Sequence, residues 1–298
     1  MLRTFFCLSA LVFGLLWTTT ASAIKVLSYN VCWECMSHSS TGTAGLLGET
    51  CTWTTKNNVK ITICGNNIAK QIDNISHHYG ADIPFDFVGL QEAKNWENLQ
   101  QVSKALKNLK VVPYKVVSFY DGNKYNLQKT INTEFEPGRP IQILIFKEGI
   151  IFVNLHAPHL KKGSLRQYIE DKLSSALISK LTNTEIGALK NFRIIVVGDF
   201  NDHSSSLYND NLNGQYFVPF RKAHLLTPVF FSPDKKEEIL SCCKTAIPYP
   251  KPPKFTSDYI FDSKPKSEFK SVRLKVPSNY DYDLPSSDHL PIIYKTSP

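Results

Sequence analysis

The stretch Arg193–Asp202, RIIVVGDFND, constrains the fold of this 298-residue chain more than any other segment does. Its run of isoleucine and valine is β-branched and long enough for one strand that is buried on both faces. Gly198 ends the run, and Asp199, Asn201 and Asp202 follow at once. A turn explains these polar residues locally, because Asp and Asn favour turns. A rigid strand that ends in carboxylate and amide groups also indicates a polar site at a sheet edge.

The N-terminal segment has the pattern of a secretory signal peptide. Arg3 precedes the apolar run Phe5–Trp17, and the small residues before and at Ala23 form a cleavage pattern. We therefore expect residues 1–23 to be a signal peptide and the mature protein to be secreted, whether extracellular, periplasmic or luminal. No later run approaches the ~20 apolar residues of a membrane span, so we expect no stable membrane insertion. Residues 24–298 contain no long linker and predict a single domain, which we expect to be monomeric.

The chain is basic, with a formal net charge of +8. An excess of this sign fits a polyanionic partner, such as nucleic acid or an anionic lipid surface. The lysines are scattered along the chain, so the charge supports both partners without choosing between them.

Cysteines concentrate in a Ser/Thr/Gly-rich insertion at residues 31–64, which follows the first predicted strand. The Cys32-x-x-Cys35 pair is compatible with a zinc site, but export to an oxidising compartment favours disulfides. The sequence leaves the pairing open among the six cysteines of the mature chain, which are Cys32, Cys35, Cys51, Cys64, Cys242 and Cys243.

Hydrophobic periodicity predicts strands alternating with helices. The strands are expected at residues 24–30, 85–90, 111–120, 140–146, 150–155, 193–198, 255–261 and 290–294. The helices are expected at residues 67–79, 95–106 and 164–181. Ser164 and Gln167 have the spacing of a capping box at the start of the last helix. Residues 121–138 are a loop or an irregular hairpin.

Polar groups stand at, or flank, the ends of most predicted strands: Asn30, Glu92, His156, Asp199 with Asn201, Asp258, and Asp288 with His289. Each has an ordinary explanation by itself, as a solvated strand end or a satisfied histidine. Strand ends converge in a packed sandwich, however, and so many coincidences indicate one site.

The chemistry of this set is metal-assisted phosphoester hydrolysis. Oxygen ligands such as Glu92 and Asp288 suit Mg²⁺, which also shares its coordination shell with phosphate. Asp199 is positioned to orient or deprotonate the attacking water, and histidines supply acid–base groups whose tautomer a carboxylate can fix.

Six motifs resemble, in order, those of the endonuclease/exonuclease/phosphatase superfamily. They are Leu27-Ser28-Tyr29-Asn30, Gly89-Leu90-Gln91-Glu92, Val153-Asn154-Leu155-His156, Gly198-Asp199-Phe200-Asn201, Ser257-Asp258-Tyr259-Ile260 and Ser287-Asp288-His289-Leu290-Pro291. The resemblance implies a four-layer α/β sandwich, in which two mixed β-sheets are flanked by helices and the site lies at one edge.

The resemblance also implies a role for each position. The implied metal ligands are Glu92 and Asp288, which would hold Mg²⁺ with Mn²⁺ as a substitute, and a structural Ca²⁺ is a further option. The implied catalytic residues are His156, Asp199, Asp258 and His289. The implied phosphate-binding residues are Asn30, Asn201 and Arg139. One further residue from the region 120–136 is expected to join the site, and Tyr125, Glu134 and Glu136 are the candidates.

Three hypotheses follow for the function. The first is a secreted, Mg²⁺-dependent nuclease resembling deoxyribonuclease I, which hydrolyses phosphodiester bonds of nucleic acid, with DNA the expected substrate. The second keeps the chemistry but acts on a phospholipid or phosphoinositide, with Trp33 and Trp53 of the insertion facing the membrane. The third is a binding protein that has kept the fold and lost catalysis, although no motif position is degraded.

Overall fold

The computed structural model describes residues 23–39, 49–77, 85–160, 164–231, 256–264 and 287–295. The strands are β1 Lys25–Asn30, β2 Trp53–Lys56, β3 Val59–Thr62, β4 Phe87–Gln91, β5 Lys110–Pro113, β6 Val117–Tyr120, β7 Leu127–Glu134, β8 Pro140–Phe146, β9 Ile150–His156, β10 Arg193–Asp199, β11 Phe230–Phe231, β12 Asp258–Asp262 and β13 Ile292–Lys295. The α-helices are α1 Trp33–Ser37, α2 Ile63–Ser76, α3 Trp96–Val102, α4 Leu165–Ile178, α5 Asn183–Ala188 and α6 Ser206–Leu212.

Most strands belong to two mixed sheets. The first has the order β13-β1-β4-β6-β5, and the second has the order β11-β12-β10-β9-β8-β7. Only β1 with β4, and β9 with β10, pair in parallel, and the other neighbours run antiparallel. Strands β2 and β3 form a separate two-stranded sheet within the insertion.

The layers run helix, sheet, sheet, helix. The outer face of the first sheet shares a buried apolar cluster with α2 and α3. The second sheet shares another with α4, whose residues Ile169, Leu173 and Leu177 are fully buried. Between the sheets, the rings of Phe87 and Phe152 stack with their centroids 5.1 Å apart. The predicted four-layer α/β sandwich of two mixed sheets is confirmed.

Several predicted boundaries were wrong. The single strand expected at residues 111–120 is a hairpin of β5 and β6, because a tight turn in which the Tyr114 amide donates to the Val116 carbonyl reverses the chain. Residues 121–138 contain β7, which pairs with β8 along its length.

The last predicted helix is present as α4. Ser164 caps its start by accepting a hydrogen bond from the Gln167 amide at 3.3 Å.

The insertion is held by disulfides. Cys32 bonds to Cys35 and Cys51 bonds to Cys64, and all four residues form one buried cluster. The disulfide interpretation therefore holds over the zinc alternative for these cysteines. The predicted signal peptide and Cys242 and Cys243 lie outside the described residues. Within the described part of the chain, no helix is both long and apolar enough to span a bilayer.

The two sheets approach each other closely at Gly89 in β4. A Cβ atom there would lie 2.4 Å from Val197 Cγ2 and 3.0 Å from Asn154 Cγ, both in the second sheet. Glycine is required at this position because any side chain would push the sheets apart.

We expect Gly89→Ala to destabilise the protein by about 1–3 kcal/mol, since overpacking a rigid interface forces its neighbours to move. Gly187→Ala is the matched control: it lies in α5, a Cβ there would meet nothing within 4 Å, and alanine should stabilise the helix by about 0.5–1 kcal/mol. Urea unfolding of both variants measures the difference. Equal stabilities would contradict the packing argument.

Candidate active site

A cavity of about 560 Å³ opens at the sheet edge where β4, β9 and β10 end. Seven of the predicted site residues line it, and these are Glu92, Arg139, His156, Asp199, Asn201, Asp288 and His289. The other two, Asn30 and Asp258, are buried directly behind the wall and contact its residues. The structure therefore brings together the whole predicted set.

The strand register of the second sheet brings three of the site residues together. Asp199 lies opposite His156 of β9 in the parallel pair and opposite Asp258 of β12 in the antiparallel pair. Gly198 makes this possible: at its φ of 152° a Cβ would lie only 2.1 Å from the Leu155 carbonyl oxygen. The three side chains consequently stand side by side at one edge.

Asp199 is the centre of the hydrogen-bond network. Its Oδ1 accepts the Ser257 hydroxyl at 2.7 Å and the Asn201 amide at 2.8 Å. Its Oδ2 accepts Asn30 Nδ2 at 2.9 Å. Burial by itself would raise the pKa of this carboxyl, but the charge of His289 and the hydrogen bonds from Ser257 and Asn201 hold it at about 2. Asp199 is thus an anion throughout the physiological range.

His289 follows Asp288 in the loop before β13, and it is paired with Asp258. The Nδ1 atom of His289 lies 2.9 Å from Asp258 Oδ2, and its Nε2 atom lies 3.6 Å from Asp199 Oδ2. Burial disfavours the imidazolium, yet Asp258, Asp199 and Asp288 together raise the pKa of His289 well above its usual value. The ring is therefore protonated at neutral pH.

His156 has the opposite protonation state. Its Nε2 atom is 2.5 Å from an Arg139 guanidinium nitrogen, and it lies 3.6 Å and 3.7 Å from carboxylate oxygens of Asp199 and Glu92. Burial lowers the pKa of His156, and the Arg139 charge lowers it further, which outweighs the two carboxylates. Since the guanidinium can only donate, Nε2 accepts and the ring is neutral.

Glu92 comes directly after β4 in a left-handed conformation, with φ of 58°. Its Oε1 accepts Asn30 Nδ2 at 3.1 Å, and its Oε2 accepts the Trp33 amide at 3.1 Å. Such a backbone is uncommon for a non-glycine residue and is typical of functional sites. Glu92 is thereby fixed by contacts from both β1 and the insertion.

Ligand atoms for a metal are present. Glu92, His156 and Asp199 each offer one atom within 4.8 Å of the others, and so do Asp199, Asp258 and His289. Asp288, the second predicted ligand, belongs to neither group but lines the same cavity. Burial raises the pKa of Asp288, and the nearby carboxylates Glu92 and Asp199 raise it further against the opposing charge of His289. A cation would relieve this repulsion.

Asn201 lies on the cavity wall with φ of 51°. Its Nδ2 atom donates to the Ala157 carbonyl at 2.6 Å, which ties the loop after β10 to the loop after β9. Asp202, interpreted from sequence as a turn residue, accepts the Ser206 and Leu207 amides at the start of α6 and does not line the cavity.

Sequence reasoning missed several residues of the cavity and its support. The cavity wall also includes Lys115, His159 and His203. The Ser257 hydroxyl donates to Asp199, and the Ser287 hydroxyl donates to the Asn30 carbonyl. The two serines are the first residues of two of the six motifs, and this position is the signal for their supporting role. Lys115 carried no such signal, because it lies in the turn between β5 and β6.

None of the candidates from the region 120–136 lines the cavity. Tyr125 is buried and donates to Asp86 Oδ1 at 3.0 Å. Glu134 reaches the rim only indirectly, through an ion pair of 2.5 Å with Lys115. These two residues support the structure around the site and do not complete it.

Comparison with known proteins identifies the fold. No protein-family model matches the sequence. The chain is 29% identical over 284 residues to an uncharacterised protein of Acanthamoeba polyphaga mimivirus, covering 90% of this chain and 49% of the relative. It therefore spans about half the length of that relative.

Two solved structures align over nearly the whole chain. One is TDP2 of D. rerio in complex with a single-strand DNA product, with a TM-score of 0.50 and 14% identity over 92% of this chain and 98% of that one. The other is an endonuclease/exonuclease/phosphatase family protein from Bacteroides thetaiotaomicron, with a TM-score of 0.50 and 17% identity over 92% and 97%. At these identities the likeness concerns the fold.

The opposed protonation of the two histidines is testable by NMR titration of the metal-free protein. We expect the His156 ring to be neutral and the His289 ring to be charged at pH 7. Because the folded pKa of His289 is raised, its stabilising contribution is complete below its unfolded pKa of about 6.5 and is lost as pH rises through the folded value.

Asp258→Asn should lower the pKa of His289 and remove most of this pH-dependent stability, while the His156 titration changes little. The isosteric substitution keeps the side chain's shape, so a loss of folding is not expected. A His289 titration unchanged in this variant would show that Asp258 does not set its charge.

Proposed function

The chain has the fold of the endonuclease/exonuclease/phosphatase superfamily, and we propose that it is a secreted, divalent-metal-dependent nuclease that hydrolyses nucleic-acid phosphodiester bonds. One observation carries the proposal. The anionic Asp199 lies between a protonated and a neutral histidine, within a cavity that also presents Glu92 and Arg139. This combination supplies groups for water, a metal and phosphate.

The residues fit a divalent cation. Glu92 and Asp288 offer oxygen ligands of the kind that Mg²⁺ and Mn²⁺ prefer, and Asp199 and His156 lie within reach of Glu92. Burial raises the pKa of Asp288, and the charges of Glu92 and Asp199 add to this effect, so a cation would stabilise the ionised carboxylate. A bound metal would polarise the phosphoryl oxygens and neutralise the charge that develops on them.

The side chains of the cavity can orient the water, protonate the leaving group and bind the phosphate. Asp199 remains ionised and can orient a water molecule by accepting its hydrogen bond, with Ser257, Asn201 and Asn30 fixing the carboxylate. His289 carries a proton that it can donate to the leaving oxygen, and Asp258 fixes the orientation of the ring by accepting a hydrogen bond from Nδ1. Arg139 and Asn201 present donors to a phosphate on the cavity wall.

Nucleic acid is supported by charge and by the likeness to a solved structure that holds DNA. The chain carries a net charge of +8, and Lys115 and Arg139 lie at the cavity wall, where they can neutralise phosphates on either side of a scissile bond. The solved TDP2 structure with a similar fold holds a single-strand DNA product. These cations support an anionic polymer as the substrate.

A lipid phosphoester is the second candidate, because of the insertion. Trp53 is 41% exposed and Ile63 is 38% exposed. Trp53 of β2 pairs with Thr62 of β3, and Ile63 directly follows Thr62 at the start of α2. Trp33 from the same insertion lines the cavity. Exposed aromatic and aliphatic groups beside a site favour contact with a membrane surface.

Secretion and domain organisation complete the proposal. We infer that residues 1–23 are a signal peptide and that residues 24–298 form one domain, with its insertion at residues 31–64. The buried Cys32–Cys35 and Cys51–Cys64 disulfides support an oxidising destination. A monomer is sufficient, since one chain supplies every group named above.

The decisive experiment is a substrate panel of plasmid DNA, single-strand DNA, RNA and phospholipid vesicles, each with Mg²⁺ and with EDTA. We expect cleavage of nucleic acid only with the metal, and a loss of about 10²–10⁴-fold in rate for Asp199→Asn. The control is Asp171→Asn, which changes an ion-paired surface carboxylate of α4 outside the cavity.

Release of a head group from vesicles without nucleic-acid cleavage would select the lipid phosphoesterase instead. If no substrate were cleaved and Asp199→Asn matched the parent protein, the remaining hypothesis would be a binding protein without catalysis.

Thermal unfolding tests metal binding at Asp288 without measuring activity. Because the pKa of Asp288 is raised in the fold, its ionised form costs stability at neutral pH. Asp288→Asn should therefore raise the unfolding temperature in EDTA, while Mg²⁺ should raise it for the parent protein and much less for the variant. Equal Mg²⁺ shifts in both proteins would exclude Asp288 as a ligand.

A further inference from the structure

Trp33 is an aromatic residue of the cavity wall that the proposed reaction does not use. It is the first residue of α1 in the insertion, its side chain is half-buried, and it lines the cavity together with Glu92. Within the described part of the chain, Trp33 belongs to neither of the two large apolar clusters. Trp96, by contrast, packs against one of them, and its ring centroid lies 6.3 Å from that of Phe119. Packing of the core therefore does not account for the position of the Trp33 ring.

The backbone of Trp33 is fixed directly beside the proposed metal ligand. Its amide donates to Glu92 Oε2 at 3.1 Å, and its carbonyl accepts the Ser37 hydroxyl at 2.6 Å. The disulfide between Cys32 and Cys35 closes the same turn of the chain. Because a segment that is already ordered loses little conformational entropy on binding, this placement favours a ligand that contacts the ring.

A cation lies next to the ring. Lys94 Nζ is 5.7 Å from the centroid of the Trp33 ring, which is within the range of a cation–π contact. Lys94 is exposed and comes two residues after Glu92. Proteins that bind single-stranded nucleic acid combine aromatic rings, on which bases stack, with cations that contact the phosphates. Trp33 and Lys94 together supply this combination at one wall of the cavity.

The next residue of the wall, Glu34, favours a base over a phosphate at this position. Its side chain is only 2% exposed and lines the cavity. A carboxylate repels a phosphate, whereas it can accept a hydrogen bond from the amino group of cytosine. The guanidinium of Arg139 lies elsewhere in the cavity, next to His156 of the second sheet. The cavity thus offers separate places for a phosphate and for a base.

We propose that Trp33 is a stacking platform for an unpaired nucleobase next to the scissile phosphate, which makes single-stranded nucleic acid the preferred substrate. This inference rests on the proposed nuclease function and specifies its substrate class. A base that stacks on Trp33 cannot remain paired in a duplex, so a duplex must open locally before it occupies the site. The free energy of unpairing therefore weakens the binding of a duplex.

Fluorescence anisotropy of a labelled single-strand oligodeoxycytidylate, titrated in EDTA with the untagged full chain, tests the platform. We expect Trp33→Ala to weaken binding by about 5-fold to 100-fold, because stacking is lost, and Trp33→Phe to retain most of the affinity. Trp53→Ala is the matched control. Trp53 is an exposed tryptophan of the same insertion that does not line the cavity, so this variant should bind like the parent protein.

An abasic oligonucleotide of the same length separates stacking from a structural role of Trp33. The parent protein should bind it more weakly than the oligodeoxycytidylate, and Trp33→Ala should bind it as the parent protein does. A duplex of the same sequence should also be bound more weakly than the single strand, and Trp33→Ala should narrow that difference. An equal loss of affinity for the normal and the abasic strands in Trp33→Ala would overturn the proposal, since Trp33 would then act through Glu92 and the fold.

Two other results would also overturn it. One is a parent protein that binds the normal strand no more tightly than the abasic strand. The other is a Trp33→Ala variant that leaves oligonucleotide binding unchanged but releases the protein from vesicles of phosphatidylcholine and phosphatidylserine, because the ring would then contact lipid. Binding in EDTA does not measure hydrolysis. A protein that shows base-dependent binding without cleavage would therefore contradict the proposed nuclease alone, and cleavage without base dependence would contradict the stacking platform alone.

Discussion

The hydrogen bond from Asn30 Nδ2 to Asp199 Oδ2, 2.9 Å long, joins the two sheets at the edge where the site is built. Asn30 ends β1 of the first sheet, and Asp199 ends β10 of the second. A buried polar layer behind it sets the same alignment, since Gln91 Nε2 donates to Asn154 Oδ1 at 2.8 Å and Asn154 Nδ2 donates to Ser118 Oγ at 3.2 Å. Every functional distance across the site depends on this alignment.

The charges of the site are balanced unevenly. Asp199 is stabilised as an anion by the protonated His289 and by hydrogen bonds from Ser257 and Asn201, and His289 is stabilised as a cation by three carboxylates, so these groups satisfy one another. Asp288 is compensated less fully, because burial raises its pKa and the charges of Glu92 and Asp199 add to this effect against the opposing charge of His289. Left-handed backbone at Glu92 and Asn201 adds local strain at the same edge. This imbalance is a physical reason for a cation to bind where the carboxylates meet.

The cysteine-rich insertion is part of the site as well as an addition to the fold. The Cys32 amide donates to Asn30 Oδ1 at 3.1 Å, and the Trp33 amide donates to Glu92 Oε2 at 3.1 Å. Thr62 Oγ1 donates to the Cys35 carbonyl at 2.7 Å, which links the hairpin of β2 and β3 to α1. The disulfides thus restrain a segment that orients Glu92 and shapes one wall of the cavity.

The sequence alone predicted the fold class and the set of side chains that meet, because six motifs in order resemble those of one superfamily and their polar residues stand at or beside predicted strand ends. It supported the convergence of Asn30, Glu92, His156, Asp199 and Asp288, and the pairing of Asp258 with His289. The wrong predictions concerned local boundaries. One strand was predicted where β5 and β6 form a hairpin, because an apolar pattern continues through a short turn without marking it. Only the tertiary structure decided the protonation states, the disulfide pairing, and the meeting of His159 with His203. These depend on distances between segments that are remote in sequence, which periodicity and spacing do not encode.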